Sequence, residues 1–105
     1  MLEKDRQLVI KFKQQLETIT EVRRMIVFGS RARGDSSPGS DLDVFIELPG
    51  LSYELRDKIF NIAWELSYEN EIVISTLLAT SKMMVNSPFA ANPILRTIQT
   101  EGIAV

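Results

Sequence analysis

Val27-Phe28-Gly29-Ser30-Arg31-Ala32-Arg33-Gly34-Asp35-Ser36-Ser37-Pro38-Gly39-Ser40-Asp41-Leu42-Asp43-Val44-Phe45-Ile46-Glu47-Leu48 is the stretch around which this chain is organised. It begins in one apolar run and ends in another, which predicts two strands joined by a polar loop. Gly29 directly follows the run Met25 to Phe28, where a strand ends and the chain turns; lacking a Cβ, it lets another group approach the backbone. Ser30 opens a short helical turn to Arg33, and hydroxyl and amide groups at a helix start favour a phosphate. Asp41 and Asp43 stand two apart at the start of the second run, so both carboxylates point to one side of a strand. Two oxygen ligands presented together suit Mg²⁺ or Mn²⁺, with water and substrate phosphates completing the shell. For Gly29, at the end of the first strand, to meet Asp41, at the start of the second, the strands must run antiparallel.

The spacing is also that of a known signature. Gly29-Ser30, ten residues from Arg31 to Ser40, then Asp41-Leu42-Asp43 resembles the Gly-Ser, ten-residue, Asp-x-Asp pattern of the minimal nucleotidyltransferases, a family of the DNA polymerase β-like superfamily. Four fixed positions at this spacing arise by chance in about one chain of this length in a thousand. The resemblance implies an α/β (α+β) fold: a small mixed sheet of three to four strands with helices packed on it. It also implies transfer of a nucleoside monophosphate, with ATP the expected donor, to a hydroxyl. Asp41 and Asp43 would be the catalytic metal ligands, and Gly29 and Ser30 would bind the β- and γ-phosphates. Arg31 or Arg33 is available for phosphate oxygens, although Arg33, just before Gly34, has the alternative of anchoring its own loop through a carboxylate.

The remainder of the chain bounds these expectations. Its 105 residues make one domain, 1–105, and 45% hydrophobic with 25% charged residues is an ordinary globular composition. Twelve basic and fourteen acidic residues give a net charge of −2, so no overall basic field favours direct nucleic-acid binding. With no cysteine and no histidine, disulfides, thiol nucleophiles, the usual zinc sites and a histidine base are excluded. No stretch has the length or hydropathy of a signal core or membrane span, which makes the cytoplasm the expected location.

Apolar residues at 8, 9, 12, 16 and 19 predict an amphipathic helix from Leu2 to about Thr20. Val22 to Phe28 is the first predicted strand, buried on both faces, and Asp41 to Leu48 the second. Ser52 caps a helix from Tyr53 to about Glu69 whose core stripe is Leu55, Ile59, Ile62, Ala63 and Leu66. That helix carries a second stripe of Tyr53, Phe60, Trp64 and Tyr68. Its expected cover is the chain's own C-terminal segment, with Met83, Met84, Phe89 and Ile94; the alternative is a protein interface. Ile72 to Leu78 predicts a third strand, Ser81 to Val85 a turn, Asn92-Pro93 a helix start, Gly102 its stop, and residues 103–105 a short edge strand.

One departure from the family pattern stands out. Relatives usually carry a third carboxylate on the third strand, and Ile72 to Leu78 contains no acid; Glu69 and Glu71 precede it, and Glu47 lies farther along the second strand. Two functions from different classes follow: a Mg²⁺-dependent nucleotidyltransferase acting on a protein or small hydroxyl compound, or a catalytically weak nucleotide- or partner-binding module acting as antitoxin or regulatory subunit. So short a catalytic core implies, by the same resemblance, a separate helical partner of the HEPN type, as in toxin–antitoxin pairs; a homodimer is a further option.

Overall fold

The computed structural model describes residues 1–105. Its centre is a four-stranded sheet: β1 (Arg24–Phe28), β2 (Leu42–Leu48), β3 (Ile74–Thr80) and β4 (Ile103–Ala104), in the order β3-β2-β1-β4. β1 and β2 are antiparallel, as the Gly29-to-Asp41 argument requires, with Phe28 opposite Asp43. β3 joins the other edge of β2 in parallel, Asp43 beside Ser75. β4 pairs antiparallel with β1. A parallel neighbour needs a crossover, supplied here by α3 (Tyr53–Asn70).

Alternation along the strands feeds two separate cores. On the first face Met25, Val27, Leu42, Val44, Ile46, Leu48 and Ile74 pack under α1 (Glu3–Leu16) and α3 through Leu8, Val9, Phe12, Leu16, Ile59, Ala63 and Leu66. On the second face Ile26, Phe45 and Ala79 are covered by Leu95 and Ile98 of α5 (Pro93–Glu101), with Met83 and Met84 of the single turn α4 (Met83–Asn86) and Phe89 of a 3₁₀ turn at the margin. Burial on both faces explains the unbroken apolar runs of β1 and β2.

Local signals set the helix ends. The Ser52 hydroxyl accepts from the amide of Leu55, and the Asn92 side-chain Oδ1 from the amide of Ile94, with Pro93 in the first helical position. Helix α1 stops at Leu16, earlier than its periodicity predicts, and Ile19 is exposed. Thr18-Ile19-Thr20 is β-branched throughout, and the Thr18 hydroxyl donates to the carbonyl of Gln15, closing the helix with a turn. Strand β3 is shifted two residues later than predicted, to Ile74–Thr80, because its parallel register with β2 runs from Leu42 opposite Ile74 to Leu48 opposite Thr80.

The expected cover of the aromatic stripe is overturned. The C-terminal segment packs on the second sheet face, whose Ile26, Phe45 and Ala79 would otherwise be bare, while α3 lies on the first. Tyr53, Trp64 and Tyr68 are therefore 80%, 67% and 77% exposed. Trp64 and Tyr68 stack on each other with centroids 5.7 Å apart, and the Arg56 guanidinium lies over Tyr53 and Phe60.

Candidate active site

The motif residues converge where β1 ends and β2 begins. Gly29 has φ +75°, a conformation that costs a residue with a Cβ, and a Cβ built there would lie 2.5 Å from Oδ2 of Asp43. The glycine is thus needed twice, for its backbone angle and to make room for a carboxylate. Ser30 opens α2 (Ser30–Arg33), whose turn is closed by amides of Ala32 and Arg33 donating to the Gly29 carbonyl and ended by Gly34 at φ +86°. Asp43, half-buried, shares the second sheet face with its register neighbours Phe28 and Ser75, while Asp41 stands exposed just before β2.

Charge sets these two aspartates apart. The other three aspartates of the chain are ion-paired: Asp5 with Arg31, Asp35 with Arg33, Asp57 with Arg56. Asp41 and Asp43 have no cationic neighbour, and burial, with the charge of Asp41 beside it, pushes the Asp43 carboxyl above the usual carboxylate range. Two carboxylates without a cationic partner, Asp43 seated against the bare backbone of Gly29 and Asp41 close enough for its charge to act on Asp43, suit a single divalent cation. No third acid is gathered with them. Glu71 sits exposed at the left-handed C-cap of α3. Glu47 is committed at the far end of β2. Burial alone would raise its pKa, but hydrogen bonds from Ser81 and Arg24 and the charge of Arg23 outweigh that and hold it below the usual range.

Asp43 carries a pH signature. The folded state holds its proton more tightly than an unfolded chain does. In the absence of divalent metal, stability therefore falls as pH rises from the ordinary carboxylate range through the raised Asp43 pKa, and Asp43→Asn flattens that segment of the profile. Melting temperatures of both proteins across acid pH, in a chelator, measure the difference; parallel profiles would contradict it.

Both arginines of the motif are engaged within the protein. Arg31, expected to be available for phosphate oxygens, is buried, and all three of its guanidinium nitrogens are bonded within the protein, to the Asp5 carboxylate and to the carbonyls of Pro38 and Ser40. Arg33 bonds Asp35 and Glu101. This is the loop-anchoring alternative, extended to α5. Asp5 was not singled out by its type, although it continues the apolar stripe of α1 at the position before Leu8 and Val9, where a lone acid is anomalous.

Beside the site lies a groove of about 980 Å³ between α3, the β3 edge and the loop Pro38–Ser40, walled by Phe60, Trp64, Tyr68 and Val73 among others. Asp41 and Asp43 are not in its walls. It adjoins them through Ser40, the residue before Asp41, and through Val73, whose carbonyl accepts from the amide of Leu42. No helix is long and apolar enough to cross a membrane.

A Methanocaldococcus jannaschii protein named "Putative protein adenylyltransferase MJ0141" is 38% identical over 77 residues, spanning 69% of this chain and 76% of that protein. Among solved structures, a toxin–antitoxin pair with AMP-PNP matches with TM-score 0.61 at 19% identity, covering 93% of this chain and 69% of the other. A mutant MntA-HpeT toxin–antitoxin pair matches with TM-score 0.64 at 17% identity over the whole chain and 72% of its counterpart. A Shewanella oneidensis complex of tri-AMPylated HEPN toxin with MNT antitoxin gives 0.58 at 17%, covering 99% and 71%. At these identities the structures speak for the fold. The nucleotidyltransferase domain family matches residues 9–101, nearly the whole chain, and with the 38% relative this makes the chain a member of that family.

Proposed function

We propose that this nucleotidyltransferase is a Mg²⁺-dependent adenylyltransferase that moves AMP from ATP to a hydroxyl of a HEPN-type protein partner. The observation that carries the proposal is the pair Asp41 and Asp43: two residues apart, without any cationic neighbour, and with the Asp43 carboxylate seated in the room that Gly29 leaves by lacking a Cβ. In the reaction the acceptor oxygen bonds to the α-phosphorus, the bond to the β-phosphate oxygen breaks, and pyrophosphate leaves. Asp41 and Asp43 would hold Mg²⁺, which when bound would supply charge neutralisation at the phosphates and alignment of the attacking oxygen. Gly29 and Ser30 are assigned to the β- and γ-phosphates. With no histidine in the chain, the hydroxyl proton passes to a carboxylate or to water.

Adenylyl as the transferred group is supported by the name of the archaeal relative, and a HEPN partner by the complexes in which the structural neighbours occur. The bare aromatic groove favours a protein acceptor, since it is apolar, unpartnered and adjoins the loop that delivers Asp41. ATP labelled at the α-phosphate should label the partner in Mg²⁺, and ATP labelled at the γ-phosphate should not; label from the γ-position would overturn the proposal.

The groove makes its own prediction. Trp64→Ala/Tyr68→Ala removes exposed rings that support no core, so the protein should melt as wild type does while its affinity for the partner drops about tenfold or more. Calorimetric titration of partner into each protein measures this, and equal affinity would move the interface elsewhere.

A further inference from the structure

We infer that Asp5 and Arg31 form a positioning clamp that holds the Asp41 backbone in place for metal binding. The inference rests on the reading of Asp41 and Asp43 as metal ligands and concerns residues that never touch the metal.

The loop from Gly34 to Ser40 contains two glycines, three serines and a proline, and has no apolar residue to bury except the proline ring. Left to itself it would sample many conformations. Its end must nevertheless deliver Asp41 to a fixed place beside Asp43. Within the loop, only Ser37 and Ser40 bind each other: the Ser37 amide donates to the Ser40 hydroxyl at 3.0 Å, and the Ser40 amide to the Ser37 carbonyl at 3.0 Å. That closes a small turn but ties it to nothing else.

Arg31 supplies the tie. Its Nε donates to the carbonyl of Ser40 at 2.8 Å and its Nη2 to the carbonyl of Pro38 at 3.2 Å, bracketing Gly39 and ending one residue before Asp41. The remaining nitrogen, Nη1, donates to both oxygens of Asp5 at 3.1 and 3.3 Å. Every nitrogen of the fork is therefore used, and in three directions. A guanidinium can do this and an ammonium cannot, because the ammonium is a single point on a flexible stem. Asp5 and Arg31 are 2% and 5% exposed. A buried arginine without its carboxylate would be an unpaired charge in the interior, so Asp5 is what keeps Arg31 there. Asp5 in turn stands in the first turn of α1, whose Leu8, Val9, Phe12 and Leu16 are fixed in the core. The chain of support runs from core helix to carboxylate, to guanidinium, to loop carbonyls, to Asp41.

A stability role alone would predict a different result from a clamp, because a buried ion pair can be replaced by apolar side chains of similar size at little cost in stability. The test uses the full chain with Mn²⁺ and a non-hydrolysable ATP analogue, reading bound metal by the loss of the free Mn²⁺ paramagnetic resonance signal. Arg31→Lys keeps the charge facing Asp5 but loses the fork, and should weaken Mn²⁺ binding about tenfold, the usual effect of removing a group that orients a metal ligand. The double variant Asp5→Leu/Arg31→Met should melt close to wild type and still bind Mn²⁺ about tenfold or more weakly. Asp43→Asn is the reference for a lost ligand. Wild-type affinity in both folded clamp variants overturns the inference alone, whereas a wild-type protein that binds no Mn²⁺ overturns the metal reading and the clamp together.

Discussion

Asp41→Asn/Asp43→Asn should abolish nucleotidyl transfer, by roughly a thousandfold or more, in a protein that remains folded. The loss is large because the substitution removes both negative charges from the proposed cation site, and charge neutralisation at a transferring phosphoryl group is worth several kcal/mol. The fold should survive because neither carboxylate supports any other part of the protein. Asp41 is exposed, and Asp43 is held at a cost, its pKa raised by burial and by its neighbour. Neutral asparagines relieve that repulsion, so the metal-free double variant is expected to melt at or above the wild-type temperature near neutral pH. Gain in stability with loss of activity is the mark of a site shaped for its ligand. A variant that loses activity by unfolding would instead give the aspartates a structural role.

Gly29→Ala should be nearly as damaging, through the backbone. An alanine at φ +75° costs about 1–3 kcal/mol of strain. Its methyl group would also fall 2.5 Å from Oδ2 of Asp43, so the carboxylate must move. Transfer should fall by roughly a hundredfold or more, since displacement of a reacting group by an ångström has effects of that size. The melting temperature should drop by several degrees, as about 1 kcal/mol shifts a domain of this size by roughly 4–8 °C. Gly34→Ala is the control: φ is positive there too, in the milder left-handed helical region, but no atom lies within 4 Å of the built Cβ. It should carry the smaller strain of that region and spare the chemistry. Equal losses of activity in the two variants would show that the contact with Asp43 does not matter.

The central sheet, and the meeting of Gly29 with the start of the second strand, could be read from the sequence because one short stretch contains both. The antiparallel pairing of β1 and β2 follows from requiring Gly29 and Asp41 to meet, and Phe28 does face Asp43. Helix boundaries at Ser52 and Asn92-Pro93 were equally legible, being written in the side chains that satisfy free backbone groups, and the stop at Gly102 in a residue that disfavours continuing the helix. Periodicity shows that an element has an apolar face but not which surface will cover it. Met83, Met84, Phe89 and Ile94 suited either α3 or the second sheet face, and the sheet, with Ile26, Phe45 and Ala79 bare, took them. Arg31 was ambiguous for a related reason. An arginine beside a phosphate-binding motif has the same chemistry toward a phosphate as toward a buried carboxylate, and only the fold, which brings α1 against α2, decides between them. The sign that would have helped was Asp5, an acid on the apolar stripe of an amphipathic helix, in a chain whose motif arginine needed a partner.

The most direct measurement is the intact mass of a HEPN-type partner after incubation with this protein, ATP and Mg²⁺. The account predicts a gain of one or more adenylyl groups with the wild-type protein and none with Asp41→Asn/Asp43→Asn. A partner that binds the wild-type protein and keeps its mass, or one that is modified equally by the double variant, would contradict it.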